Sequence, residues 1–279
     1  MKKIIAITGM TSGIGLAIFK HLLTQGHHLI GISRSQEKLD AIQTECLANG
    51  HSDFTLFKAD FQVLSDVDQL GQDIIKHYPD GIDVLINNAA IVPNKKKITK
   101  DGYEMQFQVN HLAVVKLSFL LLSKLSLKKG MIITTSSNAH TMAKYPKIDI
   151  QSRQCYFSVK SYGRTKLYNI FFTDAFNDYI GPKHHVYAYA VHPGLVKTEI
   201  GTKDTSKLYA WFWKVFTKRG ITPQEAVNTY DKLINQVTRD ETYSYYYKSE
   251  KAPKSKVAQN LTCRDDLWQK TLDLLNIQT

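Results

Sequence analysis

The sequence has 279 residues, 43% of them hydrophobic, and carries a formal net charge of +11. The length suits one large domain, and no apolar run is long enough to cross a bilayer as a helix, which excludes a membrane-spanning protein. The basic residues are scattered and do not alternate with aromatic side chains, which argues against nucleic-acid binding.

Strand and helix patterns alternate from the first residues onward. Apolar residues at Ile14, Ala17, Ile18 and Leu22 have helical spacing, and Gly26 ends that helix. The predicted strands cover 3–8, 28–32, 54–58, 82–86, 131–135 and 186–191. The predicted helices cover 14–25, 36–48, 63–77, 103–127 and 156–179. This alternation predicts an α/β protein with a Rossmann-type doubly wound, mostly parallel sheet, flanked by helices on both faces in a single domain, 1–279.

Polar and small residues follow directly after the predicted strands. Ligands of such sheets bind at the carboxyl ends of the strands, near the point where the strand order switches. The sequence therefore predicts one site at this edge. The residues placed there are Thr8, Ser33, Arg34, Asp60, Asn87, Ser137, His192, Pro193 and Gly194.

Three glycines lie between the first strand and the first helix. Gly9, Gly13 and Gly15 permit a tight turn and a close approach of backbone N–H groups to a pyrophosphate, and the helix N-terminus adds partial positive charge. An ordinary strand-to-helix turn is the alternative for this cluster taken alone.

The end of the second strand distinguishes the two nicotinamide dinucleotides. A carboxylate there would bind the ribose hydroxyls of NAD, but the chain has Ser33-Arg34-Ser35. Arg34 can bind a ribose phosphate with two parallel hydrogen bonds, and Lys38 follows one helical turn later. The pattern favours NADP(H) over NAD(H). The alternative is that both side chains are solvated surface residues.

Tyr162 and Lys166 are four residues apart and so share one helix face. A tyrosine phenol has a pKa of about 10, which is too high for efficient acid–base catalysis near neutral pH. A neighbouring ammonium group stabilises the phenolate and lowers that pKa. The pair predicts proton transfer, although a Tyr and a Lys at this spacing often form a plain surface pair.

Taken in order, these motifs resemble the short-chain dehydrogenase/reductase family along nearly the whole chain. The matching elements are Thr8-Gly9-x-x-x-Gly13-Ile14-Gly15, Asp60, Asn87-Asn88-Ala89, Asn110, Ser137, Tyr162-x-x-x-Lys166 and 192–198. Ala90 departs from the family, which usually has glycine after Asn-Asn-Ala.

The resemblance implies a role for each residue. Tyr162 would be the general acid/base, Lys166 would tune it and hold the nicotinamide ribose, Ser137 would polarise the substrate oxygen, and Asn110 would anchor a water in a proton relay. Ser136 is the alternative to Ser137. The implied cofactor-binding residues are Gly9, Thr11, Ser12, Gly13, Ile14, Gly15, Arg34, Lys38, Asp60, Phe61, Asn87, Ala89, Tyr162, Lys166, Pro193, Gly194, Val196 and Thr198. No metal is expected.

Further segments resemble the retinol dehydrogenase-like branch of this family. They are Asn110-His111-Leu112, Ala139-His140, 158–169 and Leu267-Trp268. Members of that branch often carry an N-terminal membrane anchor, which we do not expect because the first strand begins almost at Met1. The resemblance also implies a substrate lid around 198–221. Its aromatic run, 209–216, suits a hydrophobic substrate; core packing, a subunit contact or peripheral membrane contact through Trp211 and Trp213 are the alternatives.

The sequence thus predicts an NADP-dependent oxidoreductase that interconverts an alcohol and a carbonyl on a retinal-like, long-chain aldehyde or steroid-like substrate. A non-catalytic NADP-binding regulator or scaffold, and a reductase of carbon–carbon double bonds, are the alternatives. The three cysteines, Cys46, Cys155 and Cys263, are widely spaced, which predicts a reducing, cytoplasmic location. A monomer and a homodimer are both compatible with the pattern.

Overall fold

The structure, a computed structural model, describes residues 1–194, 222–236 and 244–278. Its strands are β1 (Ile4–Thr8), β2 (His28–Ser33), β3 (Phe54–Lys58), β4 (Val84–Asn87), β5 (Met131–Thr135), β6 (Tyr187–His192), β7 (Tyr245–Tyr247) and β8 (Glu250–Lys251). Its α-helices are α1 (Gly13–Thr24), α2 (Gln36–Ala48), α3 (Leu64–His77), α4 (Met105–Phe107), α5 (Ala113–Leu120), α6 (Leu122–Leu127), α7 (Ser158–Tyr179), α8 (Gly181–His184), α9 (Pro223–Gln236) and α10 (Leu261–Leu275).

The strands form one sheet in the order β3-β2-β1-β4-β5-β6-β7-β8. The pairs from β3 through β7 are parallel, and β8 returns antiparallel to β7. The chain first builds outward from β1 to β3 and then crosses back to β4, so the strand order switches between β1 and β4. A crevice for a ligand is expected at that switch.

Helices cover both faces of the sheet. On one face the buried side chains come from α3, α5, α7 and α10, for example Leu70, Phe171 and Leu272. On the other they come from α1, α2 and α9, for example Leu22 and Tyr230. Strands β1, β2, β4 and β5 between them are almost wholly buried, which explains their continuous apolar runs. The predicted doubly wound α/β fold is confirmed.

The predicted long helix over 103–127 is wrong in its detail. Glu104 caps α4 by accepting hydrogen bonds from the amides of Gln106 and Phe107, so the helix starts after it. A π-helical turn, Gln108–Leu112, then precedes α5. The helix is interrupted again at Leu121, before α6 begins. The predicted elements also lack α8, α9, α10, β7 and β8. No helix within the described ranges is long and apolar enough to span a membrane.

Candidate active site

A cleft of about 1120 Å³ opens at the carboxyl ends of β1 and β4, where the strand order switches. Its wall combines the glycine turn with the segments that follow β2, β3 and β4. The sequence-predicted residues that line it are Gly9, Thr11, Ser12, Gly13, Ile14, Gly15, Arg34, Lys38, Asp60, Phe61 and Ala89.

The glycine turn needs its glycines for two separate reasons. Gly9 and Gly13 have positive φ angles, +69° and +57°, a region that side chains disfavour. At Gly15 a Cβ would lie 2.3 Å from the carbonyl oxygen of Gly9, so the first turn of α1 packs directly against the loop. Ser12, the N-cap of α1, makes no side-chain capping bond. The first-turn N–H groups therefore face the cleft with the partial positive charge of the helix end, which suits a diphosphate.

Thr8 fastens the glycine turn to the loop after β4. Its hydroxyl accepts hydrogen bonds from the amides of Asn88 and Ala89, each 3.0 Å long. The side chain of Asn88 donates in return to the carbonyl of Thr8 at 3.1 Å. Ala90, which replaces the glycine usual in the family, has no positive φ angle, so its methyl group causes no backbone strain.

The corner of the cleft after β2 is positively charged. Among the described lining residues the basic ones are Lys20, Arg34, Lys38 and Lys97, and the acidic one is Asp60. Lys20 is paired with Glu45, whereas Arg34 and Lys38 form no ion pair within the described part of the chain. Both are exposed and free to turn toward a phosphate.

Asn87 does not line the cleft as the sequence predicted. Its side chain is buried and donates to the hydroxyl of Ser118 at 3.0 Å, because alternate residues of a strand face opposite sides of the sheet. The next residue, Asn88, takes the place at the wall. Asn88 belongs to the Asn87-Asn88-Ala89 motif but is not among the predicted cofactor-binding residues.

Lys166, the charged residue of the candidate catalytic set, is almost completely buried. It is 2% exposed, and its Nζ donates to the carbonyl oxygen of Thr135, at the end of β5, over 2.7 Å. The same Nζ lies 5.4 Å from the ring centroid of Tyr162. Burial lowers the pKa of Lys166 to about 7. The predicted spacing therefore brings phenol and amine together beside the end of β5.

The two adjacent serines have different surroundings. Ser136 is buried, and its hydroxyl donates to the carbonyl of Lys166 at 2.8 Å. Ser137 is partly exposed, and its hydroxyl accepts from the amide of Ala139 at 3.2 Å, which leaves its proton available. Ala139 packs against α7: a Cβ on Gly163 would lie 2.7 Å from the Ala139 carbonyl oxygen. This contact places the Ser137 turn next to Tyr162.

Asn110 lies in the π-helical turn. Its side chain accepts from the amide of Ile91 at 2.8 Å and donates to the carbonyl of Ile91 at 3.0 Å and to the hydroxyl of Thr165 at 3.2 Å. Thr165 donates to the carbonyl of Tyr162 at 2.8 Å. Asn110 thus links the loop after β4 to α7, the helix of Tyr162 and Lys166, and π turns of this kind are frequent at functional sites.

Pro193 and Gly194 follow β6 directly at the same edge of the sheet, and Gly194 has a φ of +98°. Val196, Thr198 and the predicted lid around 198–221 lie outside the described residues.

Comparison with known proteins agrees with this architecture. Residues 3–208 match the short chain dehydrogenase family. Mouse retinol dehydrogenase 12 is 29% identical over 279 residues, which cover 99% of this chain and 87% of that protein. Mouse retinol dehydrogenase 14 is 33% identical over 211 residues, 71% of this chain and 63% of that protein. The NADPH-bound carbonyl reductase from chicken fatty liver has the same fold, with a TM-score of 0.68 and 21% identity over 90% of this chain and 98% of that one.

Proposed function

The chain belongs to the short chain dehydrogenase family, in its retinol dehydrogenase-like branch, and we propose on that basis that it is an NADP-dependent oxidoreductase for a hydrophobic alcohol or carbonyl. The observation that carries the proposal is the buried amine of Lys166 beside the phenol of Tyr162, at the edge of the sheet where the cleft opens.

The residues of the cleft fit a nicotinamide dinucleotide phosphate. The uncapped N-terminus of α1 and the glycine turn that leads into it suit the diphosphate, and Arg34 with Lys38 suits the ribose phosphate. When bound, the cofactor supplies or accepts a hydride. The chicken carbonyl reductase, which binds NADPH, supports this choice by its fold.

The protein's own residues then handle the proton and the substrate oxygen. Ser137 would donate a hydrogen bond to the carbonyl oxygen and polarise it. Tyr162 would give that oxygen a proton during reduction and take it back during alcohol oxidation. Lys166, in its charged form, would stabilise the phenolate that remains. Asn110 fixes the position of α7 through Thr165 and would support proton supply from solvent.

A hydrophobic substrate is the finer part of the proposal. The relatives' names point to retinol, and exposed apolar side chains stand on the segment between Ser137 and α7: Met142 is 65% exposed and Phe157 59% exposed. We take retinoids, long-chain aldehydes and steroid-like ketones as the substrate class, and a reducing, cytoplasmic location as consistent with three free cysteines.

NADPH consumption over a panel of carbonyls tests the reaction. The panel contains retinal, medium and long aliphatic aldehydes, steroid ketones and quinones, with Tyr162→Phe measured beside the wild type. We expect turnover of the apolar members that Tyr162→Phe abolishes, while NADPH binding persists. Product analysis separates carbonyl reduction from reduction of a carbon–carbon double bond. Preference for small polar carbonyls would contradict the substrate class, and tight NADPH binding without any turnover would contradict the enzyme.

Cofactor preference has its own test. Arg34→Ala removes charge-assisted hydrogen bonds, so we expect about 10- to 100-fold weaker NADPH binding, ~1.5–3 kcal/mol, and little change for NADH. Lys95→Ala is the matched control, since Lys95 is exposed but does not line the cleft. Equal binding of NADH and NADPH by the wild type would refute the preference for NADP.

A further inference from the structure

His140 is a buried histidine that the reaction just described does not use. It lies three residues after Ser137, in the 3₁₀ turn Asn138–Met142, and is 1% exposed. Buried histidines need partners for both ring nitrogens. The two partners of this ring come from different parts of the fold.

One ring nitrogen is bonded to the serine turn. Nδ1 lies 2.8 Å from the carbonyl oxygen of Ser137, which also accepts from the backbone amide of His140 at 3.1 Å. A carbonyl oxygen only accepts, so Nδ1 must carry the proton. This bond holds the backbone of Ser137, and the close contact between Gly163 and Ala139 holds the same turn against α7.

The other ring nitrogen is bonded to the C-terminal part of the chain. Nε2 lies 3.3 Å from the backbone amide of Ser255, which only donates, so Nε2 must be unprotonated. The ring also packs edge-on against Tyr245 of β7, with centroids 5.2 Å apart and planes at 68°. The partners therefore dictate one neutral tautomer. Burial, which lowers the pKa of His140, agrees with the neutral form.

We propose that His140 is a positioning residue for Ser137, holding its backbone so that the hydroxyl meets the substrate oxygen. The proposal rests on the proposed function. His140 acts through the Nδ1–H bond to the Ser137 carbonyl, while Ser255 and Tyr245 hold the ring in place. His140 does not line the described wall of the cofactor cleft, so we expect its replacement to leave cofactor affinity unchanged.

Two conservative variants separate the two ring nitrogens. An asparagine amide nitrogen comes near the position of Nδ1, so His140→Asn keeps a donor for Ser137. A glutamine amide reaches toward Nε2, so His140→Gln keeps an acceptor for Ser255 and loses the bond to Ser137. We expect kcat to fall about tenfold in His140→Gln, equivalent to ~1.4 kcal/mol, and to stay near the wild-type value in His140→Asn. The Kd for NADPH is expected to stay unchanged in both.

The reverse pattern, or unchanged kcat in both variants, overturns the proposal. Parallel losses of kcat, NADPH affinity and thermal stability in both variants also overturn it, because they assign His140 a role in folding alone. ¹⁵N NMR of the histidine ring gives a readout that needs no turnover: protonated Nδ1 is expected, and protonated Nε2 refutes the geometry. An inactive wild type with protonated Nδ1 would reject the proposed reaction and not this contact.

Discussion

Replacing Thr8 by valine tests how the cleft is held together. Valine has nearly the shape of threonine but no hydroxyl, so it leaves no cavity in a position that is 1% exposed. The amides of Asn88 and Ala89 then lose their shared acceptor. An unsatisfied buried donor costs ~1–3 kcal/mol. Because both amides are part-buried beside an open cleft, water compensates in part, and we expect ~1–3 kcal/mol for the two together.

The matched control is Thr8→Ser, which keeps the hydroxyl and removes one methyl group. Urea denaturation gives the free energies of unfolding, and amide hydrogen exchange reports on residues 88 and 89 individually. We expect faster exchange at both amides in Thr8→Val alone. NADPH binding is expected to weaken about 5- to 30-fold, since the loosened loop forms a wall of the cleft. Equal exchange and equal NADPH affinity in the two variants would refute the reasoning.

Three further predictions follow from buried contacts. Gly163→Ala forces a Cβ against the Ala139 carbonyl oxygen, so we expect kcat to fall at least about tenfold through displacement of Tyr162, measured by steady-state kinetics. Trp268→Ala removes a largely buried ring that holds α10 on α7, and we expect a loss of ~3–5 kcal/mol in urea denaturation. Burial raises the pKa of Glu104 to about 7, so the folded protein holds a proton that the unfolded chain releases near pH 4.5. The contribution of this proton to stability is fully present below pH 4.5 and is lost as pH rises through 7. In Glu104→Gln we expect the decline in the free energy of unfolding over this pH range to be ~1–3 kcal/mol smaller than in the wild type.

Each of these predictions has a contradicting result. A wild-type kcat in Gly163→Ala would mean that the turn at Ala139 shifts to accommodate the methyl group and that Tyr162 keeps its position. A Trp268→Ala variant of unchanged stability would show that α10 is held by other contacts. Parallel pH–stability curves for wild type and Glu104→Gln would show that Glu104 is already ionised at acidic pH, held so by its two amide donors.

The sheet and the place of the site could be read from the sequence because each depends on a local pattern. A strand buried on both faces must be apolar nearly throughout, so β1, β4 and β5 stand out as short apolar runs. The polar residue after each run then marks the carboxyl edge of the sheet. The turn at Gly9 and Gly15 could also be predicted, because a close approach of two backbone segments leaves no room for a side chain and requires glycine.

The π turn around Asn110 could not be read in this way. It adds one residue to a helical turn, which hardly changes the apolar spacing of a segment as hydrophobic as 105–127. Two hydrogen bonds join Asn110 in this turn to the backbone of Ile91, 19 residues away, and no local pattern encodes such a contact. The strand β7 is likewise only three residues long and is defined by pairing with β6, where His192 is opposite Tyr247.

The environment of Lys166 gives a physical reason for the proposed joint action of Tyr162 and Lys166. Its described hydrogen-bond acceptor is the neutral carbonyl of Thr135, and burial disfavours its charge, which lowers its pKa to about 7. In the proposed reaction a phenolate at Tyr162 would supply the negative charge that Lys166 lacks, and the charged amine would in turn favour the phenolate, so the two groups would titrate as a pair. An anionic cofactor bound nearby would raise the charged fraction of Lys166 further. In the proposed reaction, cofactor binding would therefore favour the charged amine before a substrate arrives, and we expect the pH–rate profile to report apparent pKa values of the pair.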